Sequence, residues 1–342
     1  MDTWSSRART LASCAVWLAL AGCGGGGETV QPLDAGEALP GSYALRDSER
    51  ALDLGVEGDG LFVLQPANGA ERTYSRFGKL DLDGAGRLIH ADGARVLGVS
   101  GDARATDPVP LPALPMFMAA RASQRVVETI NLDSRTPWVD ADLAFDHDDA
   151  ATFDSATGID FRGADGSTHF LMLCFRHTAP DAAAGERDAY WIAWIVVDGR
   201  VANVQHRLHF SADQSQLREA DRVLRLPAAE AGLPHELEID FSGSTGYGVP
   251  FDATELSADG YGRGTLRAVE VDADGRIRLQ YDNGQSAAGG QLVLARFTVA
   301  DRLQRTGASS WLCGAGCRPP RLGTPGSPLM GTIRAHALNV SD

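Results

Sequence analysis

The chain has 342 residues, 44% of them apolar, which is enough to bury more than one hydrophobic core; at roughly 100 to 200 residues per domain it should hold about two. Acidic residues outnumber basic ones, 45 to 31, and the net charge of -14 comes with no long basic run, which excludes a nucleic-acid partner whose phosphates would need neutralising. The acidity is spread among Gly- and Ala-containing turns, so it reads as a self-repelling surface and says little about a substrate.

At the N-terminus, Arg7 and Arg9 precede an apolar stretch from Leu11 to Ala21, the length of an export-signal core and too short to span a bilayer as a helix. The stretch ends in Leu20-Ala21-Gly22-Cys23, the pattern of a lipoprotein cleavage box, in which small residues admit the peptidase and the Cys23 thiol takes a diacylglycerol. Residues 1–22 are therefore predicted to be a lipoprotein signal peptide, with Cys23 as the lipidated first residue of the mature chain. The alternative is an ordinary cleaved signal with an incidental cysteine. Gly24 to Gly27 open a flexible tether over residues 23–42, without apolar periodicity. No acidic residue directly follows Cys23, which favours the outer over the inner membrane. The predicted location is the cell envelope, with membrane contact through the lipid on Cys23.

From Leu52 the pattern is two-residue alternation: Leu52, Leu54 and Val56 point one way, Asp53 and Glu57 the other. Turn signals recur every ten residues or so, including Gly58-Asp59-Gly60, Asn68-Gly69, Asp83-Gly84, Asp92-Gly93, Asp165-Gly166, Asp198-Gly199, Asp274-Gly275 and Asn283-Gly284. An all-β body follows. Buried strands are expected at Leu61-Phe62-Val63-Leu64 and from Trp191 to Val197, half-buried ones around Leu237, Ile239 and Phe241 and around Ile277, Leu279 and Tyr281. Gln214 to Leu226 is expected to form a short helix. The strand rhythm breaks at Pro108 to Pro115, Ser134 to Asp149 and Gly243 to Asp252.

Several stretches, in order, resemble the bacterial flagellar hook and rod protein family. They are Leu52-Asp53-Leu54-Gly55-Val56-Glu57-Gly58-Asp59-Gly60-Leu61-Phe62-Val63, then Tyr74-Ser75-Arg76-Phe77-Gly78 and Asp92-Gly93-Ala94-Arg95-Val96-Leu97-Gly98. Thr129-Ile130-Asn131-Leu132-Asp133 resembles the strand that leaves the family's first domain. Phe241-Ser242-Gly243-Ser244-Thr245-Gly246-Tyr247, Tyr281-Asp282-Asn283-Gly284-Gln285, Leu322-Gly323-Thr324-Pro325-Gly326-Ser327 and Ala337-Leu338-Asn339 resemble the return path. The resemblance implies a β-rich hook-type domain formed from two chain segments, 43–133 plus 253–342, with a second β domain, 134–252, inserted; spacing alone would equally give two sequential domains. It also implies a mechanical, non-catalytic role exercised through contacts with other hook, rod or envelope proteins. Where the family has N- and C-terminal polymerising helices, this chain is expected to lack both and to carry a signal, Cys23 and a tether.

Chemistry-bearing residues are few. No Gly-x-Ser-x-Gly elbow, phosphate loop or His-Glu-x-x-His is present, and no enzyme activity, cofactor, metal or small-molecule substrate is predicted. With Cys14 leaving in the signal and Cys23 lipidated, Cys313 and Cys317 can close a small disulfide loop; as metal ligands they would need two more partners. Cys174, in an apolar run, reads as a buried thiol. Asp146-His147-Asp148-Asp149 with Asp154 offers hard oxygen ligands but lacks a calcium-loop spacing, and reads as a solvated acidic loop. His206 and His209, and likewise Trp191 and Trp194, sit three apart, a spacing that sends strand side chains to opposite faces. The competing reading is a monomeric envelope adhesion or scaffold module that keeps the hook fold without polymerising.

Overall fold

Alternation of buried and exposed residues marks strands such as Gly78–Leu82, Val223–Leu226 and Arg276–Tyr281, while Tyr190–Val197 is buried along its length, in the computed structural model, which describes residues 43–100, 107–139, 143–180, 189–298, 303–307 and 309–341. The predicted signal, Cys23 and the tether lie outside the described residues. The fold is all-β: among the described residues the helical pieces are Ala228–Ala231 and the short 3-10 turns Ala150–Thr152 and Glu219–Asp221.

The largest sheet, of 16 strands, interleaves early and late parts of the chain. Leu61–Gln65 pairs with Leu294–Arg296 and with Arg95–Val99, Arg95–Val99 pairs with Ser286–Leu292, and Asp53–Glu57 pairs with Thr332–Ala335. Its strands bury one set of side chains, among them Leu54, Phe62, Leu80, Val96, Leu279 and Leu292, and a second set, among them Val63, Leu97, Phe297 and Trp311, lies in a separate core. Each such fully buried side chain contributes about 1.5–3 kcal/mol.

Two four-stranded sheets face each other in a sandwich. One is the antiparallel succession Ser155–Arg162, Thr168–Thr178, Tyr190–Val197 and Arg200–Leu208. Its third turn is Asp198-Gly199, where both residues have positive φ, 50° and 75°, as a two-residue hairpin with the right-handed strand twist requires. The other sheet has the order Val223–Leu226, Leu237–Asp240, Arg125–Asn131, Asp252–Ala258, with Arg125–Asn131 and Leu237–Asp240 parallel. Between them Leu171, Leu173, Phe175, Trp191 and Ile195 meet Val126, Ile130, Leu226, Leu237 and Ile239.

Arg125–Asn131 and Asp252–Ala258 carry the chain into and out of this sandwich. The crossing is fastened by Asp259, whose Oδ1 accepts from the backbone N–H of Gln124 (2.7 Å) and Arg125 (2.9 Å). Ser123 adds to it, donating its N–H to the Arg162 carbonyl and accepting from the Arg162 N–H at its hydroxyl.

The helix expected from Gln214 to Leu226 is not formed. Gln214 turns with φ 60°, Phe210 bridges Leu217, and after the Glu219–Asp221 turn the chain runs extended as Val223–Leu226. The reason is a two-residue period: Leu224 and Leu226 are buried while Val223 and Arg225 are exposed, and Pro227 then ends the strand. At Asp83-Gly84 the positive φ falls instead on Gly86, because Asp83 Oδ1 accepts from the N–H of both Ala85 and Arg87 at 2.9 Å and tightens a longer turn.

Candidate functional site

The described chain begins and ends side by side. Tyr43–Asp47 pairs antiparallel with Ala337–Ser341, Tyr43 opposite Ser341. A single buried side chain locks this ribbon to the main sheet: Asn339 Oδ1 accepts from the Val56 N–H at 2.6 Å while Asn339 Nδ2 donates to the Val56 carbonyl at 3.1 Å. The amide thus supplies Val56 with the donor and acceptor that a neighbouring strand's peptide would offer.

Other residues of the ordered motifs are clamps of the same kind. Asn131 Nδ2 donates to the carbonyls of Tyr247, Val249 and Pro250, and its Oδ1 accepts from Thr245 Oγ1 and the Tyr247 N–H, both at 2.9 Å. The Arg76 guanidinium donates to the carbonyls of Gly60 (2.6 Å), Val56 (2.9 Å) and Gly58. Gly78 is where two layers touch, since a Cβ there would lie 2.0 Å from the Leu54 carbonyl oxygen and 2.5 Å from the Phe62 ring. These residues hold backbone; none is placed to attack a substrate.

Of the cysteine and acidic candidates, Cys174 lies in the strand Thr168–Thr178 and Cys313 ends the strand Ser310–Cys313, while Cys317 and the acidic run fall on loops. Cys313 and Cys317 face each other with sulfurs 1.97 Å and Cα atoms 5.3 Å apart, beside the Phe297, Leu303 and Trp311 core. Cys174 is buried, which pushes its thiol up to about 11 and makes it inert in the folded chain. Ligand atoms of Asp146, His147 and Asp148 lie within 4.8 Å of one another. The acidic run is nevertheless occupied in ordering its own backbone. Asp146 Oδ1 accepts from the Asp148 N–H, Asp149 caps Ala150–Thr152 through the Ala151 N–H, and Asp154 Oδ2 accepts from the His177 N–H at 2.7 Å.

The paired aromatic and histidine candidates are structural. Trp191 and Trp194 are both buried, in two different cores: Trp191 stacks on His177 at 4.7 Å, and Trp194 lies between Phe145 at 4.7 Å and the Arg176 guanidinium at 4.4 Å. His206 and His209 do meet a common residue, but at different atoms. His206 Nε2 lies 2.8 Å from the Asp221 carbonyl, and His209 Nδ1 lies 2.8 Å from its carboxylate, because the strand ends at Leu208 and the chain bends between them.

Two buried ionic residues escape sequence reasoning. Arg176 has no exposure; it donates to the carbonyls of Thr152 (2.6 Å) and Leu143 (2.8 Å) and so pins the 143–154 loop over the outer face of the Tyr190–Val197 strand. Glu128 is also fully buried, neither carboxyl oxygen has a hydrogen-bond partner, and burial pushes its pKa up to about 8. A signal was present: Val126, Glu128 and Ile130 share one face of a strand whose other members are core residues.

No protein-family model matches the chain. Among curated proteins, the flagellar hook protein FlgE of Salmonella typhimurium (strain LT2) is 24% identical over 318 residues, covering 86% of this chain and 73% of the relative. FlgE of Escherichia coli (strain K12) is 24% identical over 304 residues with the same coverage. FlgE of Borreliella burgdorferi is 24% identical over 328 residues, 87% of this chain and 72% of the relative. Among solved structures, the crystal structure of Helicobacter pylori flagellar hook protein FlgE2 matches with a TM-score of 0.58 at 12% identity, covering 86% of this chain and 100% of that chain.

Proposed function

We propose that this chain, which belongs to the flagellar hook protein family, is a structural, non-catalytic hook-like protein held in the cell envelope by a lipid on Cys23 and associated with the flagellar hook or basal body. The observation that carries the structural part is the similarity to hook proteins over 86% of the chain, in which the matched motif residues serve as backbone clamps. The anchored part rests on Leu20-Ala21-Gly22-Cys23. A tether of about 20 residues between Cys23 and Tyr43 would extend up to about 70 Å and hold the body clear of the bilayer. Among the described residues no helix is long and apolar enough to cross a membrane.

The same reading divides the body into a discontinuous hook-type unit and an inserted β unit. The sandwich core draws on residues from Ala122 to Ala258, which supports an insertion wider than the 134–252 expected from composition. It also includes a Cys313–Cys317 disulfide in the mature, exported chain, supported by the proximity of the two sulfurs.

The test is recovery of the intact protein from membranes of motile cells, with mass spectrometry of co-purifying proteins and electron microscopy of isolated basal bodies. Hook or rod proteins in the pull-down, with density lost in the deletion strain and the Cys23→Ser protein released from membranes, are the expected results. Unrelated envelope proteins with unchanged basal bodies would refute the flagellar role and leave the monomeric scaffold reading. A Cys23→Ser protein that stays with the membrane fraction would refute the anchor.

A further inference from the structure

A cleft of about 730 Å³ opens between the 66–73 and 88–94 hairpins and the strand around Ser310. Its polar lining includes Asn68, Thr73, His90, Asp92 and Ser310, and its walls include Pro66, Ala67, Phe77 and Ala94. Asp92 is the one carboxylate among the lining residues, and none of them is Lys or Arg.

Asp92 is held in place from three sides. Its Oδ1 accepts from the Ala94 N–H at 3.0 Å and lies 2.8 Å from His90 Nδ1, while its Oδ2 accepts from Ser310 Oγ at 3.0 Å. The His90 ring is buried and fixed at its other nitrogen, 2.7 Å from the Phe77 carbonyl. The Asp92 side chain is nevertheless 41% exposed, and Oδ2 retains an open acceptor position among the described residues. Burial acts to raise its pKa, but the hydrogen bonds from His90, Ala94 and Ser310 outweigh it and hold the carboxyl at about 2. A fixed carboxylate in an apolar-walled cleft, paired at Oδ1 with the buried His90 ring and with no Lys or Arg in the lining, is complementary at Oδ2 to a cationic group on an aliphatic stem.

We propose that this cleft is a docking site for a lysine or arginine side chain presented by a partner protein, with Asp92 Oδ2 taking the cation and Pro66, Ala67 and Phe77 enclosing the stem. The site is independent of the flagellar reading: it requires only a basic partner surface, and the pull-down above tests the two separately.

The experiment is saturation-transfer NMR on the detergent-solubilised full chain with Nα-acetyl-arginine amide as probe and Nα-acetyl-norleucine amide as its uncharged counterpart. Arginine side-chain protons should saturate, weaken as salt rises, and bind about tenfold or more tightly than the norleucine probe, the factor one charge-assisted hydrogen bond supplies. Asp92→Asn keeps the shape and should abolish that difference. Ala67→Trp, at an exposed wall residue outside the Asp92 network, should block both probes and serves as the control where Asp92→Asn perturbs folding. Equal binding of the two probes by the wild-type chain, or an arginine preference that survives Asp92→Asn, would overturn the proposal.

Discussion

Replacing Glu128 by Gln should change how the protein's stability depends on pH more than any other single substitution. The side chain is fully buried, with no hydrogen-bond partner on either oxygen, and burial alone raises its pKa from 4.5 to about 8. The charged groups nearest in register face elsewhere: Asp240 lies opposite Val127, Glu238 opposite Arg125 and Glu255 opposite Thr129, all on the other side of the sheet. Because the folded state holds its proton more tightly than the unfolded state, the folded chain binds more protons between pH 4.5 and 8 and stability falls as pH rises. The stabilisation is complete below about 4.5 and lost by about 8; at about 1.36 kcal/mol per pH unit the full swing is roughly 5 kcal/mol, of which about 3 kcal/mol is gone at neutral pH. Urea unfolding followed by the fluorescence of Trp191 and Trp194, in the same sandwich, measures it. Wild type should lose stability steadily from pH 5 to 8.5, and Glu128→Gln should remove most of that slope and be the more stable protein at pH 8.5. Equal slopes in the two proteins would refute the reasoning.

Three further outcomes follow from the same geometry. Asn339→Ala leaves the Val56 N–H without its side-chain acceptor, while the Val56 carbonyl keeps the Arg76 guanidinium, and should cost about 1–3 kcal/mol, with hydrogen exchange at Val56 accelerated before the rest of the sheet. Thiol labelling of the mature chain should find no reactive group while it is folded, one (Cys174) after denaturation without reductant and three after reduction; three without reductant would disprove the Cys313–Cys317 bond. Cys317→Ser, which opens a loop with a sequence separation of 4, should cost about 2 kcal/mol, read from the urea midpoint.

How much of this was legible in the sequence depended on whether the cause was local. The strands and turns were, because a two-residue period and Asp-Gly pairs report directly on backbone conformation, as at Tyr190–Val197 and Asp198-Gly199. The segment from Gln214 to Leu226 was misread because its alternation covers only four residues, Val223–Leu226, behind a turn closed by the bridge between Phe210 and Leu217. The acidic loop was legible as a loop, but not its purpose, which comes from backbone N–H groups that its carboxylates cap. Arg176 was hidden for a related reason: its partners are two carbonyls, 24 and 33 residues away, which carry no side-chain signature.

The same long-range character bears on how such a chain can be made. Asp53–Glu57 has Thr332–Ala335 as a strand partner, Val56 awaits Asn339, and Tyr43–Asp47 pairs only with Ala337–Ser341. Strands formed early therefore carry unpaired N–H and C=O groups, and an apolar face, until the last residues are available. Loop closure over nearly the whole chain must be completed before those contacts stabilise anything, which makes folding of the main sheet a late and slow event. The sandwich differs: its core draws on residues within 122–258, so it can close while the rest is incomplete. A chain whose first strands are finished only by its last ones thus keeps its main sheet open until its synthesis is complete.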